Sequence, residues 1–158
     1  MITPDMSLER YYLIVSDLRI AQRFADYILT NQLHEKKTDR MRLVHRAFNL
    51  SMIVSYCRPF TRNLEGDERE FSPSPISYFA KSVLDKQQFT LHKEILNQRH
   101  NVYAHSPTGK RFPWRLKKGY VALQLDVFAP LNLAYTRTLG STIKSWLDYL
   151  EPLKSQFS

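Results

Sequence analysis

The chain is expected to fold as an all-α bundle of about five helices, with a short β-hairpin before the last helix, in one domain spanning 1–158. Three observations predict this. Apolar residues recur at three- and four-residue steps in five separate stretches, the spacing that puts them on one side of a helix. Prolines and capping residues separate the stretches at places where helices start and stop. Only one segment, from Val121 to Val127, alternates with the period of two that a half-buried strand requires.

The first helix is expected from about Pro4 or Leu8 to Asn31, with Thr3 as an N-cap if Pro4 takes the first helical position. Tyr11, Ile14, Leu18, Ala21, Ala25 and Ile28 form its apolar stripe, with Arg10, Asp17 and Arg23 opposite. A polar linker, His34 to Lys37, leads to a second helix starting at Thr38 or Asp39. Its expected stripe is Leu43, Ala47, Leu50, Val54 and Cys57, and Pro59 ends it. On this reading His45 and Arg46 flank the stripe, His34 and His92 are surface residues, and Cys57 is a small apolar filler. Tyr11 and Tyr12 read as core and interface.

Thr61 to Ser74 is the longest irregular segment. Ser74 and Pro75 then open a short helix carrying Ile76, Phe79, Ala80, Val83 and Leu84. A further helix is expected over Lys86–His105, stopped by Pro107. The hairpin would pair Phe112–Leu116 with the alternating run, turning at Lys118-Gly119. The final helix is expected from Pro130 to Pro152, with Tyr135, Leu139, Ile143, Trp146, Leu147 and Leu150 facing inward.

Composition narrows the function classes. A single cysteine excludes an intramolecular disulfide and any multi-cysteine zinc site. Four glycines in 158 residues argue against a glycine-rich phosphate loop. The histidines lack the His-Glu-x-x-His spacing of a zinc hydrolase, so neither a metal nor another cofactor is expected. Met1 to Ser7 is polar, and no run approaches the roughly 18 uninterrupted apolar residues of a membrane span. A cytoplasmic protein without a leader or membrane contact is therefore expected. Lys and Arg number 23 against 15 for Asp and Glu, a formal net charge of +8. Such a surplus attracts polyanions through counterion release, nucleic acid first among them.

The most site-like segment runs from Leu91 to His105. Its apolar stripe is Leu91, Ile95 and Val102, and the same steps place Gln98 and His105 on that stripe. Asn101 stands one turn before His105, close enough to orient its imidazole, and Arg99 lies about 120° round the helix from His105. A histidine that titrates near neutrality can take a proton from a ribose 2′-hydroxyl or give one to a leaving oxygen. A permanently charged guanidinium can hold a phosphate and stabilise the charge that develops on it. The alternative reading is that Arg99, Asn101 and His105 serve the helix end itself, as caps and as dipole partners.

Arg99-His100-Asn101-Val102-Tyr103-Ala104-His105 resembles the signature of the HEPN superfamily. That signature is an arginine, a polar residue, a short spacer and a histidine at the end of a helix in an all-α bundle. The ending Val102 to Ser106 is similar to the AbiU2-type branch, which is associated with abortive infection and toxin–antitoxin systems. The resemblance implies a metal-independent endoribonuclease, active as a homodimer whose signature helices share a cleft, and regulated in some cases by an antitoxin. It implies that Arg99 polarises the phosphate, that His105 is the general acid–base, and that His100 supports them. The expected products are a 2′,3′-cyclic phosphate (or 3′-phosphate) and a 5′-hydroxyl. Pro107 occupies the place of the tyrosine that is adenylylated in one branch, so that regulation is not implied. A catalytically inactive relative that binds RNA, a nucleotide or a protein is the alternative. A DNA-binding regulator has less support, because no helix-turn-helix spacing stands out.

Lys110, Arg111, Phe112, Pro113, Trp114, Arg115, Leu116, Lys117 and Lys118 follow the signature. Cations interleaved with aromatics suit single-stranded RNA, with Lys110, Arg111, Trp114, Arg115, Lys117 and Lys118 as the contacts. A solvated hairpin whose Phe112 and Trp114 pack inward is the competing reading.

Overall fold

The protein is an all-α bundle. A computed structural model describes residues 6–61, 75–99, 114–115, 121–122 and 130–157. The first helix, α1, spans Leu8–Thr30. Ser7 starts it by accepting the Arg10 amide at 3.1 Å, and Thr3 and Pro4 lie outside the described residues. Its buried residues are Tyr11, Ile14, Leu18, Ala21, Ala25 and Ile28, the stripe expected from the spacing. Tyr11 is core and Tyr12 is exposed. The chain reverses at Gln32, which adopts a left-handed conformation at φ 51°, and runs through a 3₁₀ turn at Leu33–Glu35.

Helix α2, Asp39–Cys57, is capped by Thr38 as expected, but it is rotated relative to the expected stripe. Leu43, Ala47 and Leu50 are exposed and Val54 is half-buried, while His45, Asn49, Met52, Ile53, Ser55, Tyr56 and Cys57 are buried. The helix has two apolar-compatible faces, and the one that carries the larger apolar side chains Met52, Ile53 and Tyr56 is inside. Asn49 earns its buried place by accepting the Leu131 amide at 3.0 Å. Past Cys57, Arg58–Phe60 form a 3₁₀ turn with Pro59 and Phe60 buried, and Arg58 reaches back to Asp17 of α1 at 3.3 Å.

A 3₁₀ turn at Pro75–Phe79 leads into the short α3, Ala80–Val83. Ile76, Ala80 and Leu84 are buried there, and Ser74 lies outside the described residues. Helix α4 is described over Lys86–Gln98. Two-residue strands, β1 (Trp114–Arg115) and β2 (Val121–Ala122), pair antiparallel with Trp114 opposite Ala122.

The last helix, α5, spans Leu133–Leu150. It begins later than Pro130 because the Asn132 side chain caps it, accepting the Tyr135 amide at 2.8 Å. Pro152 does not end the helical path, since a 3₁₀ stretch continues over Glu151–Phe157 and buries Leu153. Tyr135 is exposed rather than inward, and Thr136 takes the inner place, its hydroxyl bonded to the Asn132 carbonyl at 3.0 Å. Leu139, Ile143, Trp146 and Leu150 face inward as expected, with Leu147 half-buried.

Helix α1 packs between α2 and α5, antiparallel to both. Tyr27 stacks on Phe48 at one end of the α1–α2 pair, and Asp17 meets Arg58 toward the other. The Tyr11 hydroxyl donates to the Leu150 carbonyl at 3.3 Å. The buried apolar side chains of all the described helices form one cluster. Among the described residues, no helix is long and apolar enough to cross a membrane.

Candidate functional site at the end of α4

Helix α4 owes its start to a reciprocal cap. The Gln88 amide donates to Asp85 Oδ1 at 2.8 Å, and the Asp85 amide donates to Gln88 Oε1 at 3.1 Å. The Gln88 side chain also bonds Ser141 and Ser145 of α5, at 3.3 and 3.2 Å. This fixes the rotation of α4, so its inner face carries Leu91, His92 and Ile95. Gln98, expected on the buried stripe, is exposed, and His92, expected on the surface, is 3% exposed. Gln88, His92, Ile95 and Arg99 follow one another at steps of four, three and four, and the inner face is centred on that line.

His92 is held inside by a neutral hydrogen bond. Its Nδ1 lies 2.7 Å from the Tyr56 hydroxyl, and its ring meets Phe60 edge-on at 4.7 Å. Burial lowers the His92 pKa to about 4 and raises that of Tyr56 well above its ordinary value. Both groups are therefore uncharged at neutral pH, and their hydrogen bond braces α4 against α2.

Arg99 ends the described part of α4. Its amide donates to the carbonyls of Ile95 and Leu96, and its residue is half-buried. Below it lies Cys57, the last residue of α2, whose thiol donates to the Ile95 carbonyl at 3.9 Å. Burial pushes the Cys57 pKa up to about 12, with the Arg99 guanidinium pulling the other way. A thiol held that high is not a nucleophile, in keeping with its reading as a filler. Arg99 thus presents a permanent positive charge from a partly enclosed helix end, where the surroundings screen it less than bulk water would.

His100, Asn101 and His105 lie outside the described residues, as do Lys110, Arg111, Lys117 and Lys118. Trp114 and Arg115 are described as strand backbone. Of the sequence-derived site, the structure therefore describes the arginine and its surroundings.

A second cluster was not legible as a site in the sequence. His34 and His45, expected at the surface and on a flank, are respectively half-buried and 8% exposed, with ring centroids 4.6 Å apart. His34 Nε2 lies 3.1 Å from the Thr136 hydroxyl. The signal available was a histidine in the α1–α2 turn followed by one in the second turn of α2, which the folding of the turn onto α2 brings together. No family model, curated protein or solved structure matches the chain.

Proposed function

We propose that the chain is a metal-independent endoribonuclease of the HEPN type, acting on single-stranded or looped RNA as a cytoplasmic homodimer. The observation that carries this reading is the Arg99–His105 signature, with its arginine half-buried on the inner line of α4. In the proposed reaction His105 removes the proton of a ribose 2′-hydroxyl, and the 2′-oxygen attacks the adjacent phosphorus. A 2′,3′-cyclic phosphate forms, and the 5′-oxygen leaves with a proton from the His105 of a second copy. Arg99 holds the non-bridging oxygens while charge builds on them, with Asn101 and His100 orienting the histidine. The cations and Trp114 of the 110–118 segment hold the flanking strand.

The net charge of +8 supports a polyanionic substrate. The exposed Leu43, Ala47 and Leu50 leave an apolar face on α2, turned from the core, that a partner could cover. A toxin held by an antitoxin is the biological setting this reading favours.

The test is cleavage of a labelled RNA pool in excess EDTA. Wild type is expected to leave cyclic phosphate ends, and Arg99→Ala and His105→Ala to lower the rate by about 100-fold or more while remaining folded. Expression of wild type is expected to be toxic to cells, and His105→Ala to relieve that toxicity. Salt-sensitive RNA binding without turnover by wild type overturns the enzyme and leaves a binding module.

A further inference from the structure

The turn between α1 and α2 and the start of α5 form a concavity of about 440 Å³, lined in part by Lys36, Lys37, Arg42, His45, Arg46 and His34. We propose that this concavity is a phosphate-binding site, separate from the α4 end and able to take either a strand phosphodiester or the phosphate of a free nucleotide.

Three independent features converge on it. The first is charge: four of the eleven lining residues, Lys36, Lys37, Arg42 and Arg46, carry permanent positive charge, and Arg137 of α5 also acts on His34. Asp39 offsets part of the charge of Arg42, lying 3.9 Å away in an exposed pair. The second is the start of α5. Asn132 and Leu133 line the concavity, and this 18-residue helix directs the positive end of its dipole there.

The third is His45 itself. It is 8% exposed, and its buried Nε2 has no hydrogen-bond partner among the described residues. A buried polar atom left in that condition costs free energy. Burial, and then the neighbouring His34, lower the His45 pKa, and burial lowers that of His34, so both rings are neutral at pH 7. A phosphate seated above supplies the missing partner and the negative charge that lets a ring take up a proton. Of the charged groups acting on His34, Arg137 opposes that uptake and Glu35 favours it.

The site stands apart from the signature. Cys57, beside Arg99, follows His45 by 12 residues, which is about 18 Å along the α2 axis. The proposal does not rest on RNA cleavage at Arg99, and either can fail alone.

The experiment is NMR of the imidazole Cε1–H groups of the whole chain, with His34→Gln and His45→Gln used for assignment. Inorganic phosphate is titrated against sodium chloride at matched ionic strength. The His34 and His45 signals are expected to move saturably with phosphate and not with chloride, while His92 stays still. The surface variant Lys36→Ala/Lys37→Ala/Arg42→Ala is expected to weaken this binding ten-fold or more, and Arg99→Ala to leave it unchanged. Decathymidylate, which has no 2′-hydroxyl to attack, and adenosine monophosphate distinguish the source. Tighter binding of the strand assigns the site to a nucleic-acid backbone, and equal or tighter binding of the mononucleotide assigns it to a free nucleotide. Histidine signals that ignore phosphate, that respond equally to chloride, or that respond unaltered in the triple variant overturn the proposal.

Discussion

His92 shows how one buried residue sets the response of the fold to acid. Its pKa falls from 6.5 to about 4 because burial penalises the charged ring. The unfolded chain therefore binds a proton that the folded chain refuses throughout that interval. Stability rises with pH across the window and is lost as pH falls from 6.5 toward 4, with roughly 3 kcal/mol at stake from this residue. His34 and His45 are shifted in the same direction and add to the effect. Urea midpoints at pH 7.5 and pH 5 should differ markedly in wild type. In His92→Leu the difference should shrink, although the variant should be weaker at pH 7.5 by about 1–3 kcal/mol because the Tyr56 hydroxyl loses its buried partner. An unchanged pH dependence in that variant would place the titration elsewhere. None of this is visible in sequence spacing, where a histidine beside Leu91 fits a surface position as well as an inner one.

At the scale of helices, a residue is buried according to which face of its helix turns inward, and α2 illustrates the difficulty. Its apolar residues suit a stripe through Leu43, Ala47, Leu50 and Val54, yet the inner face runs through His45, Asn49, Met52, Ile53 and Tyr56. Burial of Met52, Ile53 and Tyr56, together with the bond from the Leu131 amide to the Asn49 side-chain oxygen, outweighs the simpler pattern. Helix α1 had no such competition, so its stripe was legible to the residue. The exposed leucines have a consequence: Leu43 is 68% and Leu50 36% exposed, so Leu43→Glu should change folding stability by no more than about 0.5 kcal/mol and Leu50→Glu should cost about 1–2 kcal/mol. If the proposed homodimer uses this face, the double variant should elute as a monomer in size-exclusion chromatography with light scattering. A dimer that survives both substitutions would assign the interface to another surface. Helix α5 offers a gain instead. A Cβ added at Gly140 would meet Ala25 Cβ and Gln22 Nε2 at 3.9 Å, which is ordinary contact. Gly140→Ala should therefore stabilise the chain by about 0.5–1 kcal/mol, by restricting the unfolded backbone and filling the α1–α5 seam, as thermal unfolding would register.

Across the whole molecule, the helical class was legible because period and punctuation agree along the chain. The arginine of the candidate site was legible because it belongs to a contiguous motif. The His34–His45 cluster was hidden because its parts come from the α1–α2 turn, α2 and the start of α5, and only packing joins them. This arrangement puts two positively charged sites toward opposite ends of α2, about 18 Å apart along its axis. One strand could engage both, and salt dependence can tell. Each phosphate neutralised on a single strand contributes about 0.7 to the slope of log affinity against log salt. In the Arg99→Ala background, RNA binding should weaken steeply with salt. Removing Lys36, Lys37 and Arg42 as well should flatten the slope by up to about 2, the value for three lost phosphate contacts. Fluorescence anisotropy over a series of salt concentrations measures both slopes. A slope that does not change would mean that bound RNA bypasses the α1–α2 turn, and the phosphate taken there would then be that of a small molecule.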